Sequence, residues 1–303
     1  MSEPIVISHS EVESYLLCNA KHYYAFIEST YGPNAGLEPK TFSNSLYRGI
    51  VGHEALGAFF NAIKDGATIN EAAEVSYSLL RNKIRSDEVL NNPNYMNILS
   101  DLSGRILPRF YANEVVKLLS QGWTVVHAEE TFRLRMNFEE GTYVYPFTPD
   151  AILRDRAGNL WVWDHKFVYN FYSEAEIKLL PQLPKYIGAL RALGLPIKGG
   201  YYNMLRWREV KDESAHVAHS KVTPNDTRVQ NSFLQQYRLM ELLGGIKQRP
   251  DPGPAEIDHT LNGMICRSCS FKTLCAADLS GVDTKLMKRV EFRKNTYGYT
   301  ADE

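Results

Sequence analysis

Residues 149–167 read PDAILRDRAGNLWVWDHKF, and the alternation within them decides the fold. Leu160, Val162, Asp164 and Lys166 share one face of an extended strand, while Trp161, Trp163, His165 and Phe167 share the other. The preceding Asp155-Arg156-Ala157-Gly158-Asn159 is a strong turn signal, so strands over 143–154 and 160–167 should form an antiparallel hairpin. The 13 residues between Asp150 and Asp164 then bring two carboxylates face to face, with Lys166 beside the second. Converging carboxylates suit a hard cation, since Mg²⁺ or Mn²⁺ takes one or two of them plus waters and substrate phosphate. A neighbouring lysine steers or deprotonates attacking water and stabilises developing phosphate charge. Together these groups meet the needs of phosphodiester hydrolysis.

Working outward, Ser8-His9-Ser10-Glu11 has the form of a capping box, and Val12, Tyr15, Leu16, Tyr23 and Phe26 recur at helical spacing, which places Cys18 on a first helix. A Gly/Pro/Asn stretch over 31–39 ends it, and helices are expected over 46–64, 70–85 and 95–119, the last kinked at Pro108. From Trp123 the period becomes two: Val126, Ala128, Phe132 and Leu134 share an apolar face with Glu130 in its middle. After the hairpin come a helix over 174–193, a strand over 200–208, a helix over 225–243 and a Pro/Gly loop over 249–254. This order predicts an α/β fold with a mixed sheet, because the hairpin is antiparallel.

The chain has 303 residues, 34 Lys plus Arg against 35 Asp plus Glu, and 44% hydrophobic, 23% charged and 12% aromatic residues, which excludes disordered, collagen-like and coiled-coil classes. A net charge of −1 argues against coating nucleic acid by bulk electrostatics, but allows a local basic groove. No apolar run approaches the roughly 20 residues that span a bilayer, and the start lacks a signal-like pattern, so a soluble, cytoplasmic protein without a membrane partner is expected. Four cysteines are too few for a disulfide framework. They stand as Cys18 and, far downstream, Cys266-x2-Cys269-x5-Cys275, a set that suits an iron-sulfur cluster, a zinc ion or buried free thiols.

Pro149-Asp150 followed by Asp164-x-Lys166 resembles the PD-(D/E)xK nuclease superfamily. Gly49-x-x-x-His53 on the second predicted helix and Gln182-x-x-x-Tyr186 after the lysine strand resemble its RecB-like branch, and the cysteine spacing is similar to that of the branch's iron-sulfur members. These include CRISPR-associated RecB-like exonucleases, the nuclease domain of AddB and exonuclease V. The resemblance covers roughly residues 8–280. The chain departs from the pattern in having Asp164 where many relatives have Glu, and Pro184 inside the Gln-x-x-x-Tyr helix, which bears on the phasing of Tyr186.

The resemblance implies a restriction-endonuclease-like core flanked by helices, in one nuclease unit: a mainly helical part over 1–120, the core over 121–247, and an iron-sulfur segment and tail over 248–303. It implies a metal-dependent DNA exonuclease acting on single-stranded or frayed ends, with an inactive DNA-end-binding scaffold or a structure-specific endonuclease as alternatives. Metal ligands would be His53, Asp150, Asp164 and the carbonyl of His165; Asp150, Asp164, Lys166, Gln182 and Tyr186 would form the catalytic set; Cys18, Cys266, Cys269 and Cys275 would bind a 4Fe-4S cluster. Glu130 is either a further acidic site residue or an arginine-bound carboxylate. The basic 285–294 segment reads as a solvated amphipathic helix or a DNA-backbone contact. Partners implied are DNA and a helicase, recombination or CRISPR-adaptation protein.

Overall fold

The computed structural model describes residues 4–86, 92–139, 141–212, 216–251, 253 and 256–295. Within the 249–254 loop, Pro252 and Pro254 lie outside the described residues. The described strands are β1 (Ile5–Val6), β2 (Leu37–Pro39), β3 (Thr124–Ala128), β4 (Phe132–Phe138), β5 (Gly141–Phe147), β6 (Ala151–Arg154), β7 (Leu160–Val168), β8 (Ile197–Arg206), β9 (Val217–Val222) and β10 (Phe292–Lys294). The chain forms two compact units. One takes residues up to Ser43, Arg133–Phe147 and residues from Leu234; the other takes Asn44–Phe132 and Thr148–Phe233.

In the Asn44–Phe233 unit a five-stranded sheet has the order β3-β6-β7-β8-β9. Only β7 and β8 pair in parallel; the other neighbours are antiparallel, which gives the mixed sheet that the hairpin foretold. Asp155 shapes the β6–β7 turn by accepting from the backbone N–H groups of Ala157 and Asn159. The Trp161/Trp163 face packs with Ala151 and Leu153 against Trp123 and Tyr201. On the opposite face the Gln182–Ala192 helix packs so closely that a Cβ on Gly200 would lie 2.9 Å from the Leu183 side chain. This helix begins afresh after Leu180, because Pro181 forces the residue before it into extended backbone; the expected single helix over 174–193 is therefore two, Glu174–Leu179 and Gln182–Ala192.

The strand expected over 143–154 also divides. Pro149 has no N–H for a ladder, so β5 ends at Phe147 and β6 begins at Ala151, in different sheets. The helices expected over 46–64 and 70–85 appear as Asn44–Lys64 and Ile69–Ile84. The expected 95–119 helix runs from Pro93 to Ser120 with π turns at Leu102–Ile106 and Tyr111–Val115 on either side of Pro108, whose missing N–H removes one ordinary helical bond. Strand β9 has weak alternation and escaped the sequence reading.

The other unit holds a three-stranded sheet, β1-β5-β4, and the antiparallel pair β2/β10. Ser8 caps the His9–Leu17 helix by accepting from the Glu11 N–H, as the capping box predicts. Cys18 is not on that helix: it is an extended residue (φ −167°) between His9–Leu17 and the short Asn19–His22 helix. The basic 285–294 segment is not a solvated helix throughout. After Lys285–Glu291 it becomes β10, with Phe292 buried and the buried Lys288 ammonium 2.9 Å from Glu28. Among the described residues no helix is long and apolar enough to cross a membrane.

Candidate active site

The candidate site lies wholly in the Asn44–Phe233 unit. Antiparallel register pairs Ala151 with Trp163, which sets Asp150, just before β6, opposite Asp164 on β7. Asp150 is held at both oxygens: Oδ1 is 3.2 Å from His53 Nδ1, and Oδ2 accepts from the His165 backbone N–H at 2.5 Å. His53 comes from the Asn44–Lys64 helix, whose approach depends on small residues. A Cβ on Gly52 would fall 2.4 Å from the Phe167 ring, and one on Gly57 would fall 2.4 Å from Glu129 Cγ. Gly49, the first residue of the Gly-x-x-x-His motif, faces open space, so the close approaches belong to Gly52 and Gly57.

The acidic residue beside His53 and Asp150 is Glu129 rather than Glu130. One ligand atom from each of His53, Glu129 and Asp150 lies within 4.8 Å of the others. Glu130 is instead paired with His127 on the exposed side. Period-two counting fails here because a bulge between Val125 and His127 shifts the alternation, β3 ends at Ala128, and Glu129 adopts a left-handed backbone (φ 49°). The Glu129 N–H donates to the Asp150 carbonyl at 3.1 Å and so ties the β3 exit to the β6 entrance. The Glu-Glu doublet at the strand end was the available signal.

Asp164 is buried, and its Oδ2 lies 2.8 Å from Lys166 Nζ. Lys166 also donates to Gln182 Oε1 at 2.6 Å, and Gln182 Nε2 donates to Tyr186 Oη at 3.3 Å. Pro184 leaves this phasing intact because it occupies the first helical turn, where backbone N–H groups have no helical acceptor to lose. The His165 side chain turns inward: its Nδ1 is 2.7 Å from the Asn203 amide, and its ring stacks on Phe60.

Electrostatics separate these groups. Burial pushes the Glu129 carboxyl up to about 8, with the Asp150 charge adding to the shift, and burial raises Asp164 to about 6 against the pull of Lys166. Burial would also raise Asp150, but the neighbouring His53 outweighs it and holds Asp150 at about 2. Burial opposes charge on His53 as well, yet Asp150 lifts it to about 9; Lys166 is likewise raised by Asp164 in spite of burial. Three carboxyls crowded in a desolvated site repel one another, which a divalent cation would relieve. Oxygen donors with a single imidazole fit Mg²⁺ or Mn²⁺.

In the other unit all four cysteines line one cavity of about 160 Å³, together with Tyr24 and Phe271. Asn262 caps the Gly263–Arg267 helix through the N–H groups of Met264 and Ile265, and Cys269 N–H donates back to the Cys266 carbonyl, which forms the turn between two of the thiols. Burial, followed by the nearby Cys18, Cys269 and Cys266 sulfurs, pushes the Cys275 thiol up to about 11. Such mutual repulsion is relieved when thiolates share a metal centre.

The comparison with curated proteins gave no match. Among solved structures, one described as "Crystal structure of SSO0001" is 12% identical, with a TM-score of 0.39, over 91% of this chain and 89% of that one. The family model of the PD-(D/E)XK nuclease superfamily matches residues 6–276. That span takes in Asp150, Asp164 and Lys166, and the chain belongs to the PD-(D/E)XK nuclease superfamily.

Proposed function

We propose that this protein is a RecB-like, iron-sulfur type exonuclease that hydrolyses phosphodiester bonds at single-stranded or frayed DNA ends. Membership of the superfamily supports a metal-dependent nuclease. The observation that carries the site assignment is the convergence of His53, Glu129 and Asp150 within 4.8 Å, next to the Asp164–Lys166 pair. His53, Glu129, Asp150 and Asp164 would hold the divalent ion, with the His165 carbonyl as a further donor. Bound Mg²⁺ or Mn²⁺ supplies Lewis-acid polarisation of the scissile phosphate and neutralises charge on the departing oxygen.

The protein's own groups then divide the work. Lys166, kept cationic by Asp164, donates a hydrogen bond to the incoming water and offsets negative charge on the phosphoryl oxygens. Gln182 accepts from Lys166 Nζ and is itself held by Tyr186, so the two fix the ammonium's direction. The Asn203 contact and the Phe60 stack lock the His165 ring, which steadies the backbone N–H that Asp150 uses.

The test of substrate class is digestion of end-labelled linear single strands beside closed single-stranded circles, with Mn²⁺ or with chelator. Loss of linear strands alone, and only with metal, is the expected outcome. Cut circles would replace the exonuclease reading with an endonuclease, and cleavage in chelator would remove the metal-dependent site.

The thiol cavity supports a 4Fe-4S cluster held by Cys18, Cys266, Cys269 and Cys275. The cavity gathers all four thiols, as many as one such cluster requires. Such a cluster supplies a covalent cross-link between the first helices and the 263–279 segment. Anaerobically purified protein should be brown with broad visible absorbance, and Cys275→Ser should bleach it; colourless protein with stoichiometric zinc would refute the cluster.

A further inference from the structure

The parallel strands β7 and β8 end side by side. Val168 is the register partner of Arg206, and the Trp207 N–H donates to the Val168 carbonyl at 3.0 Å, which carries the pairing one residue further. At and beyond these ends stand aromatic and cationic groups, Tyr169 exposed and Phe171, Arg206, Trp207 and Arg208 half-buried. The Arg206 guanidinium lies 3.8 Å from the Phe171 ring centroid, and Arg208 lies 5.3 Å from that of Tyr169. The Tyr169 and Trp207 rings meet at 4.7 Å, and Arg48 covers Trp207 at 4.8 Å. Tyr169 is 49% exposed.

The support beneath these rings is fixed. Arg105 donates to the Trp207 carbonyl at 2.6 Å and to Asp101 at 2.7 Å, and the other Asp101 oxygen takes Arg48 at 2.7 Å. Asp101 thereby engages Arg48 and Arg105. Arg206 and Arg208 are held by ring stacking instead, and their Nε atoms are buried without an acceptor among the described residues, which leaves the terminal Nη groups to meet a phosphate.

Position ties this surface to the candidate site. Lys166 pairs with Met204, and Arg206 stands two residues further along β8 on the same sheet face, about 7 Å away at strand rise. Tyr169 and Trp207 continue the opposite face. Arg206 thus stands in line with Lys166, and each of the three rings beyond the strand ends has a guanidinium against it.

We propose that Tyr169, Phe171, Trp207, Arg206 and Arg208 form a stacking platform that holds unpaired bases and phosphates of a nucleic-acid strand leading to Lys166. Duplex bases already stack on one another and cannot offer their faces, so the platform selects single strands. The direction of the strand toward Lys166 rests on the nuclease reading, while binding to the platform does not.

The test measures binding of a fluorescent thymidine homopolymer and of a blunt duplex by anisotropy, in chelator, over a salt series. Tyr169→Ala should weaken single-strand binding about tenfold or more with duplex binding and salt slope unchanged, while Tyr169→Phe retains wild-type affinity. The double variant Arg206→Met/Arg208→Met should reduce the single-strand salt slope by about 1.4, at roughly 0.7 per phosphate contact. Wild-type single-strand affinity in Tyr169→Ala, or an equal loss for duplex and single strand, would overturn the platform, as would an unchanged slope in the arginine variant. Manganese-dependent hydrolysis of bis(p-nitrophenyl) phosphate, which has no nucleobase, reports the candidate site alone. Its absence in wild type would refute the nuclease reading with the platform result standing.

Discussion

Asp150→Asn should lower manganese-dependent cleavage of single-stranded DNA by about 10²–10⁴-fold while leaving the fold intact, measured as initial rates beside thermal melts. The side chain keeps its shape but loses the charge that His53 Nδ1 meets at 3.2 Å, and the oxygen that receives the His165 N–H at 2.5 Å no longer carries a full carboxylate. One substitution thus weakens a ligand and the two groups it orients. A paired comparison sharpens the result: Glu129→Gln should also reduce the rate, because Glu129 lies within 4.8 Å of both partners, whereas Glu130→Gln should not, because its carboxylate serves His127. Wild-type rates in Asp150→Asn, or equal losses at 129 and 130, would show the site to be misassigned.

The largest stability effect is expected from Glu11, in the other unit. Its buried carboxylate lies 3.2 Å from His22 Nε2 and 2.8 Å from Lys247 Nζ, and Lys247 also donates to the Val6 carbonyl at 2.8 Å. Removing one partner of a buried pair leaves the other uncompensated, so Glu11→Gln should lose about 3–5 kcal/mol in urea denaturation at pH 7. Burial opposes the charge of Glu11, but Lys247 and then His22 outweigh it, and the carboxyl is held below its ordinary value. A depressed folded-state pKa contributes stability that is complete above the unfolded value of about 4.3 and is lost as pH falls through the folded value. The gap between wild type and Glu11→Gln should therefore narrow below about pH 4; a constant gap from pH 7 to 3 would place its origin elsewhere.

What could be read from residues alone followed the regularity of the local backbone. The β6–β7 hairpin was legible because Asp155 to Asn159 is an unambiguous turn and β7 alternates without interruption, so Asp150, Asp164 and Lys166 were expected near one another. Gln182 reaches Lys166, and Tyr186 reaches Gln182, because i, i+4 spacing survives a proline in the first turn. Glu129 was hidden by two local departures, a bulge and a left-handed residue, that no period-two count anticipates. The division of 143–154 between two sheets depends on Pro149, whose effect on pairing is local but whose consequence is tertiary. The brief pair of β2 and β10 has no pattern in three residues, and only distant chain segments meeting can create it.

That pair sets an order of events for a growing chain. Arg293 on β10 bonds Glu38 on β2 across 255 positions, and Asn295 donates to the Ala25 carbonyl across 270. During synthesis the early segment emerges long before its partners and must wait with Leu37, Tyr24 and Ile27 uncovered. Loop closure over such a distance is thermodynamically mild, since its entropy grows only with the logarithm of length, but it is slow. Chaperone dependence during translation would therefore concentrate on the first forty residues.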